Sequence, residues 1–217
     1  ITDVEIKEFI DELKVPFEAR DYQIEYIKNA INENKSVSLS PTSSGKSFIQ
    51  YVLAMFYYKV FDHRVLMIVP NISLVNQMHS DFLSYGCDED MIFKIKGGVD
   101  KSNVQAPIVI STWQSLVKQD EDWFYPYRVL FGDEVHLFAA KSLTSIIEKM
   151  HNAKYRHGFS GTIPEDSKVH EMVIESLFGK TVKYISTKEL MDSGYAASFS
   201  VKALVINYPA ELKTGYK

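Results

Sequence analysis

A lysine that follows a run of small residues is the feature of this sequence with the clearest chemical use. Residues 40–47 read Ser-Pro-Thr-Ser-Ser-Gly-Lys-Ser. They lie between a predicted strand and a predicted helix, which is the context that a phosphate-binding loop requires. Backbone N–H groups at the start of that helix would face the phosphates of ATP. The predicted nucleotide-binding residues of the loop are Thr42, Ser43, Ser44, Gly45, Lys46 and Ser47.

Two side chains of this loop have distinct predicted roles. Lys46 would reach the β- and γ-phosphates, and the Ser47 hydroxyl would ligate Mg²⁺. Ser40 stands where a glycine usually opens such a loop. A polar loop that merely precedes a helix is the alternative.

Two adjacent acids supply the second half of a hydrolytic site. Asp133 and Glu134 come directly after the apolar residues 129–131 and Gly132. A strand that ends in two acids places them at the carboxyl edge of a parallel sheet, where the phosphate loop also opens. Asp133 would hold Mg²⁺, and Glu134 would position and deprotonate the attacking water. The alternative, acids that only cap the next helix, is disfavoured because a phosphate loop lies upstream.

Three further polar residues would couple this site to its surroundings. Residues 160–162 read Ser-Gly-Thr and follow a predicted strand, so the hydroxyls of Ser160 and Thr162 would lie beside Asp133 and sense the nucleotide. Taken alone, the tripeptide indicates only a turn. His136, two residues after Glu134, would couple the state of the nucleotide to a second binding surface.

A glutamine upstream of the loop completes the nucleotide site. Residues 20–23 read Arg-Asp-Tyr-Gln. The Gln23 amide offers a donor and an acceptor, which matches the edge of adenine; Arg20 would take part in the same contact. An exposed polar turn at the start of a helix is the alternative.

The elements that must position these residues alternate between strand and helix. Short apolar runs predict strands at residues 37–39, 65–69, 108–110, 128–131, 155–159 and 200–208. Helical periodicity predicts helices at residues 4–13, 21–31, 46–60, 73–85, 113–117, 142–150, 168–177 and 187–191. Strands that are almost continuously apolar, separated by helices, predict a parallel sheet covered on both faces.

Composition excludes several classes of protein. A hydrophobic fraction of 46% and a charged fraction of 24% are those of a globular domain, and the single Cys87 rules out an internal disulfide. No apolar stretch approaches the roughly 20 residues that cross a bilayer. The net charge of −4 argues against a general nucleic-acid binder, although the acids are concentrated in the first 34 residues. The chain begins with Ile1 and carries no signal-peptide pattern, so we expect an intracellular piece of a longer protein.

The order of these motifs resembles that of superfamily 2 helicases. Two further segments match: residues 69–78 are similar to motif Ia and residues 111–115 to a later nucleic-acid-contacting motif. The resemblance covers residues 20–162. It implies a RecA-like three-layer α/β/α sandwich with a mostly parallel sheet, of the P-loop NTPase class, and an ATP-dependent helicase that uses ATP and Mg²⁺.

Finer details are most similar to helicases of the UvsW type, from T-even bacteriophages. They are the loop Pro-Thr-Ser-Ser-Gly-Lys-Ser, the pair Gly97-Gly98, the segment Thr-Trp-Gln-Ser and residues 186–194. This resemblance implies a DNA partner that is branched, forked or an RNA–DNA hybrid, and a role in recombination, repair and replication restart. It also implies an N-terminal DNA-binding domain, a second RecA-like domain with arginine fingers, and a cytoplasmic location inside the host cell.

The chain then divides into three expected parts. Residues 1–19 form a helical extension, residues 20–186 the ATP-binding domain, and residues 187–217 a connector toward the second RecA-like domain.

Nucleic-acid contacts are expected where loops precede helices, because free N–H groups and hydroxyls suit backbone phosphates. Lysines around Gly97-Gly98 would add positive charge, although an ordinary solvated turn explains that loop equally well. The predicted contact residues are Asn71, Ser73, Gly97, Gly98, Thr112 and Gln114.

Three functions stay open at this point. The first is a helicase that processes branched DNA. The second is an RNA helicase or the motor subunit of a restriction complex, because the motifs are common to all of these enzymes. The third is a nucleotide-gated binding module without turnover, against which the presence of both Lys46 and Glu134 counts.

Overall fold

Seven strands form a single sheet in the order β3-β4-β2-β5-β6-β1-β7. The computed structural model describes residues 1–102, 104–137, 140–162, 168–198 and 202. The strands are β1 Lys35–Leu39, β2 Arg64–Val69, β3 Ile92–Ile95, β4 Ile108–Thr112, β5 Tyr127–Asp133, β6 Tyr155–Ser160 and β7 Thr181–Val182. Every strand pair within the described residues is parallel.

Helices connect these strands. They are α1 Asp3–Leu13, α2 Asp21–Glu33, α3 Lys46–Phe61, α4 Ile72–Ser84, α5 Trp113–Leu116, α6 Glu121–Phe124, α7 Ala140–Lys149, α8 Lys168–Phe178 and α9 Thr187–Asp192. Two one-turn 3-10 helices lie at Glu89–Met91 and Val135–Leu137. Among the described helices, none is both long and apolar enough to cross a membrane.

The sheet has a separate core on either face, and alternate residues of β2, β4 and β5 enter opposite cores. In β2, Val65 and Met67 pack into a core with helices α1 to α4, whereas Leu66 and Ile68 pack with α7 and α8. Both faces of the strand are therefore buried, which explains its unbroken apolar sequence. These layers confirm the predicted three-layer RecA-like α/β/α fold.

The N-terminal helix α1 belongs to the first of these cores. Thr2 caps α1 in a capping box with Glu5. The apolar face of α1 is buried. On this face, the ring of Phe9 packs against the ring of Phe56 in α3, with 5.3 Å between the centroids. Residues 1–19 thus pack on the nucleotide-binding layer.

The structure adds elements that the sequence pattern does not predict. Strand β3 reads Ile-Phe-Lys-Ile, and its lysine interrupts the apolar pattern. The strand tolerates a polar residue because it lies at the edge of the sheet. Strand β7 has only two residues, and α6 is a single turn. The predicted strand at residues 200–208 lies outside the described residues apart from Lys202.

Candidate nucleotide-binding site

The phosphate loop, the acid pair and the Ser-Gly-Thr segment meet at one edge of the sheet. They follow β1, β5 and β6, and the sheet order places these three strands side by side. In a parallel sheet the carboxyl ends of neighbouring strands lie together. Residues distant in sequence, such as Ser40, Asp133 and Ser160, are therefore brought to one place.

Gly45 gives the loop its shape. Its φ of 78° lies in the left-handed region that glycine adopts without strain, and it caps the N-terminus of α3. A Cβ atom at this position would come within 2.3 Å of Gln23 Nε2. The backbone angle therefore favours glycine here, and a Cβ atom would also displace the Gln23 amide from the loop.

Residues at the start of α2, including its N-cap Arg20, bind the backbone carbonyls of the loop. Gln23 Nε2 donates to the Ser44 carbonyl at 2.9 Å, and the Tyr22 hydroxyl donates to the same oxygen at 2.6 Å. Arg20 Nη1 donates to the Ser43 carbonyl at 3.2 Å and to the Tyr22 hydroxyl at 2.8 Å. Gln23 is only 4% exposed. Arg20 and Gln23 thus lie at the predicted site and support the loop; their contact with adenine stays a prediction.

Lys46 and Glu134 form the central ion pair. Lys46 Nζ lies 2.9 Å from Glu134 Oε1 and also donates to the Ser40 carbonyl at 3.3 Å. Glu134 Oε2 accepts the backbone N–H of Gly161 at 3.1 Å. The predicted phosphate-binding cation and the predicted general base are therefore adjacent.

Asp133 occupies a very different environment from Glu134. It is 7% exposed, and its Oδ1 accepts from Gln50 Nε2 at 3.0 Å. Burial and then the neighbouring Glu134 carboxylate raise the pKa of Asp133 to about 6, although Gln50 and Lys46 lower it. A cation bound beside this carboxyl group would favour its ionised form and offset the effect of burial.

The donor set suits Mg²⁺. The Ser47 hydroxyl and the Asp133 carboxylate offer the oxygen ligands that Mg²⁺ prefers, and this ion usually takes only one or two protein ligands beside phosphate and water. Ser47, Asp133, Lys46 and Glu134 line the same cavity of about 280 Å³. The residues present therefore fit a magnesium–nucleotide complex.

A chain of close polar contacts leads from Glu134 to the Ser-Gly-Thr segment. Ser160 Oγ donates to the Thr162 carbonyl at 2.6 Å, and His136 Nδ1 lies 2.6 Å from the same Oγ. Because Ser160 has one proton and donates it to Thr162, His136 must donate through Nδ1. His136 Nδ1 also lies 3.4 Å from Glu134 Oε2. The three predicted coupling residues, His136, Ser160 and Thr162, are therefore in contact in the structure. Thr162 takes part through its backbone carbonyl group.

The predicted nucleic-acid contacts lie at the other half of the same edge. Asn71 and Ser73 are exposed at the start of α4, where the Asn71 side chain accepts from the Leu74 N–H at 3.0 Å. Gly97 and Gly98 form an exposed turn after β3, and Gln114 is exposed. Thr112 differs from the others: it is 4% exposed and its hydroxyl lies 3.1 Å from Ser115 Oγ.

Three residues of the site, Tyr22, Gln50 and Tyr85, are not among those predicted from the sequence. Tyr22 lies inside the Arg-Asp-Tyr-Gln segment, and Gln50 interrupts the apolar run of α3. A polar residue one turn after Lys46 in a buried helix is a signal that could have identified Gln50. Tyr85, whose hydroxyl lies 2.8 Å from Ser47 Oγ, is 38 residues away in sequence and carries no local signal.

Comparison with known proteins decides the family. The family model of the Type III restriction enzyme, res subunit, matches residues 16–165. The chain belongs to this family. The match covers nearly the same residues as the motifs, and the predicted resemblance to superfamily 2 helicases is confirmed.

Two curated relatives agree with this assignment. The ATP-dependent DNA helicase uvsW of Enterobacteria phage T4 is 35% identical over 200 residues, which are 90% of this chain and 40% of that protein. The DNA 3'-5' translocase XPB2 of Sulfurisphaera tokodaii is 28% identical over 220 residues, which are 99% of this chain and 47% of that protein. The chain spans less than half the length of either relative.

Solved structures match as well. The crystal structure of the UvsW helicase from bacteriophage T4 has a TM-score of 0.77 and 31% identity, over 84% of this chain and 68% of that one. The SWI2/SNF2 ATPase core of Sulfolobus solfataricus, solved with double-stranded DNA, has a TM-score of 0.62 and 17% identity, over 76% and 36%. The second likeness shows a shared fold alone.

Proposed function

We propose that this chain is the ATP-binding motor domain of a DNA helicase or translocase that acts on branched DNA and R-loops. The observation that carries the proposal is the grouping of Lys46, Ser47, Asp133 and Glu134 around one cavity. A structural ion pair alone would not need a buried second acid beside a phosphate loop.

The geometry supports a division of labour in ATP hydrolysis. When ATP binds, Lys46 would leave its ion pair with Glu134 and contact the β- and γ-phosphates. The Glu134 carboxylate would then orient a water molecule and accept its proton. Ser47 and Asp133 would hold Mg²⁺, which neutralises charge on the phosphate oxygens when bound. Gln50 fixes the buried Asp133 carboxylate for that role.

The same geometry supports coupling to a nucleic acid. Glu134 is linked through His136 and Ser160 to the loop that follows β6. The exposed Asn71 and Ser73 follow β2, which pairs directly with β5, the strand that carries Asp133. A shift of Glu134 or Asp133 on nucleotide binding or hydrolysis could therefore reach the predicted nucleic-acid surface through these contacts.

The choice of DNA rests on the relatives. Both curated relatives are DNA enzymes by name, a helicase and a translocase. The UvsW-type resemblance adds branched substrates, a second RecA-like domain, an N-terminal DNA-binding domain and the cytoplasm of a phage-infected cell. The family model's own description favours the motor subunit of a restriction complex as the second candidate.

An unwinding assay of the complete protein tests the proposal. Forked DNA, an RNA–DNA hybrid and a plain DNA duplex are compared with ATP and Mg²⁺, using the wild type, Lys46→Ala and Lys59→Ala. Lys59 is an exposed lysine of the same helix, far from the loop, and is a matched control. We expect unwinding of forked DNA and hybrid by the wild type and Lys59→Ala, and none by Lys46→Ala.

Other outcomes identify the alternatives. Normal ATP turnover by Lys46→Ala would refute the phosphate-loop assignment. Unwinding confined to RNA duplexes would indicate an RNA helicase. ATP-dependent movement without strand separation would favour a restriction-type motor, and nucleotide-dependent DNA binding without turnover would indicate a binding module.

A further inference from the structure

The C-terminal end of α4 reaches the predicted magnesium ligand. Tyr85 is the C-cap residue of α4, and its hydroxyl lies 2.8 Å from Ser47 Oγ. Asp81, one turn earlier on the same helix, lines the nucleotide cavity and also interacts with the Ser47 hydroxyl. Two side chains of one helix therefore converge on Ser47.

Packing fixes the position of the Tyr85 ring independently of Ser47. The ring lies 5.5 Å from that of Phe17, 5.8 Å from Phe48 and 5.6 Å from Tyr51, measured between centroids. Aromatic contacts of this kind hold a ring in a defined orientation. The hydroxyl is thus directed at Ser47 by the core around it.

A serine that binds a cation uses an oxygen lone pair and must direct its proton elsewhere. A hydroxyl has one proton and two acceptor lone pairs, so its orientation depends on the acceptor that takes the proton. Tyr85 Oη lies at hydrogen-bond distance, and its own position is set by packing. Together with the Asp81 carboxylate, which can only accept, it can hold the Ser47 rotamer in which a lone pair faces the nucleotide cavity.

We propose that Tyr85 is a positioning residue for the magnesium ligand Ser47, acting through the hydrogen bond between the two hydroxyl groups. This inference rests on the proposed nucleotide site. It also ties the cation to α4, whose first turn follows Asn71 at the predicted nucleic-acid surface. A helix of this length spans roughly 20 Å, so one rigid element would connect the two sites.

The test separates positioning from packing. In the complete protein, affinity for a non-hydrolysable ATP analogue is measured by calorimetry with saturating Mg²⁺ and again in EDTA. The variants are Tyr85→Phe, which removes only the hydroxyl, and Tyr51→Phe, which removes a hydroxyl from the same aromatic cluster. We expect Tyr85→Phe to lose about three- to tenfold in affinity with Mg²⁺, the worth of one hydrogen bond, and to match the wild type in EDTA. Tyr51→Phe should match the wild type under both conditions.

A double-mutant cycle with Ser47→Ala adds a readout that a purely structural role would not produce. If Tyr85 acts through Ser47, the Mg²⁺-dependent affinity of the double variant should equal that of Ser47→Ala alone. An equal loss with Mg²⁺ and in EDTA, additive effects in the cycle, or an unchanged Tyr85→Phe would each overturn the inference. A wild type that binds no nucleotide under either condition would instead refute the proposed function.

Discussion

Asp133 and Glu134 are neighbours in sequence, but their side chains lie in opposite surroundings. Glu134 has a positive φ of 50°, which directs its carboxylate to Lys46 and to the Gly161 N–H. A positive φ is uncommon for a residue with a side chain and often occurs at functional sites. Asp133 remains in the strand and is buried against Gln50. At the residue scale, the two acids are therefore suited to different tasks.

This difference predicts different defects in two isosteric variants of the complete protein. Glu134→Gln keeps the shape of the side chain and loses the base, so turnover should fall by about 10²-fold or more while Mg·ATP still binds. Asp133→Asn removes a magnesium ligand, so it should weaken binding of the Mg·ATP complex. Binding by calorimetry and turnover by phosphate release measure the two effects. An equal loss of Mg·ATP binding in both variants would show that the assignment of roles is wrong.

At the scale of elements, one buried histidine joins two strands and a helix through two polar contacts. His157 of β6 is fully buried, with Nδ1 at 2.9 Å from Ser36 Oγ of β1 and Nε2 at 2.8 Å from the Tyr57 hydroxyl of α3. Burial lowers the pKa of His157 to about 3. The neutral imidazole is therefore the form that the folded chain holds.

The buried histidine makes stability depend on pH in a defined window. Below pH 6.5 the unfolded chain binds a proton that folded His157 does not, so the free energy of unfolding should fall as pH drops from 6.5 toward 3. The proton of this one group changes the free energy of unfolding by at most about 1.4 kcal/mol per pH unit. Urea unfolding between pH 4.5 and 7.5 measures the slope.

A variant and its control isolate this contribution. His157→Gln should be less stable at pH 7.5 but should show a slope reduced by about one proton. Toward pH 7.5, where the unfolded histidine is also largely unprotonated, the slopes of the wild type and His157→Gln should converge, and this range is the control. Equal slopes for wild type and His157→Gln between pH 4.5 and 6.5 would contradict the prediction.

At the scale of the whole molecule, the predicted nucleotide-binding and nucleic-acid-binding residues occupy two halves of the carboxyl edge of the sheet. The nucleotide-site segments follow the adjacent strands β5, β6 and β1, and the predicted nucleic-acid segments follow the adjacent strands β3, β4 and β2. The halves meet where β2 pairs with β5.

The segment after α9 contacts the nucleotide half of this edge. The guanidinium group of Arg20 lies 4.0 Å from the centroid of the Tyr195 ring, just after α9. The predicted connector therefore touches the nucleotide site.

The 217-residue chain by itself should bind ATP weakly and fail to hydrolyse it at a DNA-stimulated rate. It should fold alone because both faces of its sheet are covered. In this superfamily an arginine finger contributes about 10³–10⁵ in rate, and no arginine follows Arg156 in the sequence. ATPase rates of this chain and of the complete protein, with and without branched DNA, check the prediction. The Lys46→Ala chain supplies the background rate. Robust DNA-stimulated turnover by the chain as a monomer would contradict it.

Local patterns in the sequence were enough to predict most elements and the principal residues of the candidate site. The phosphate loop, the acid pair and the Ser-Gly-Thr segment are contiguous motifs, and each follows a strand whose apolar run is visible by itself. Strand–helix alternation then predicted the parallel sheet, because parallel neighbours need a crossover connection. The short strands β3 and β7 were missed because a few residues at a sheet edge need no apolar pattern.

Only the tertiary structure decided which distant residues meet. The strand order brings Ser160 beside the phosphate loop, and α4 carries Tyr85 to Ser47. The contact of Gln50 with Asp133 joins residues 83 positions apart. Such pairings depend on how helices cross and pack over the sheet, and that packing is set by the sum of many apolar contacts. A local window of sequence contains the residues of these pairs but not the distance between them.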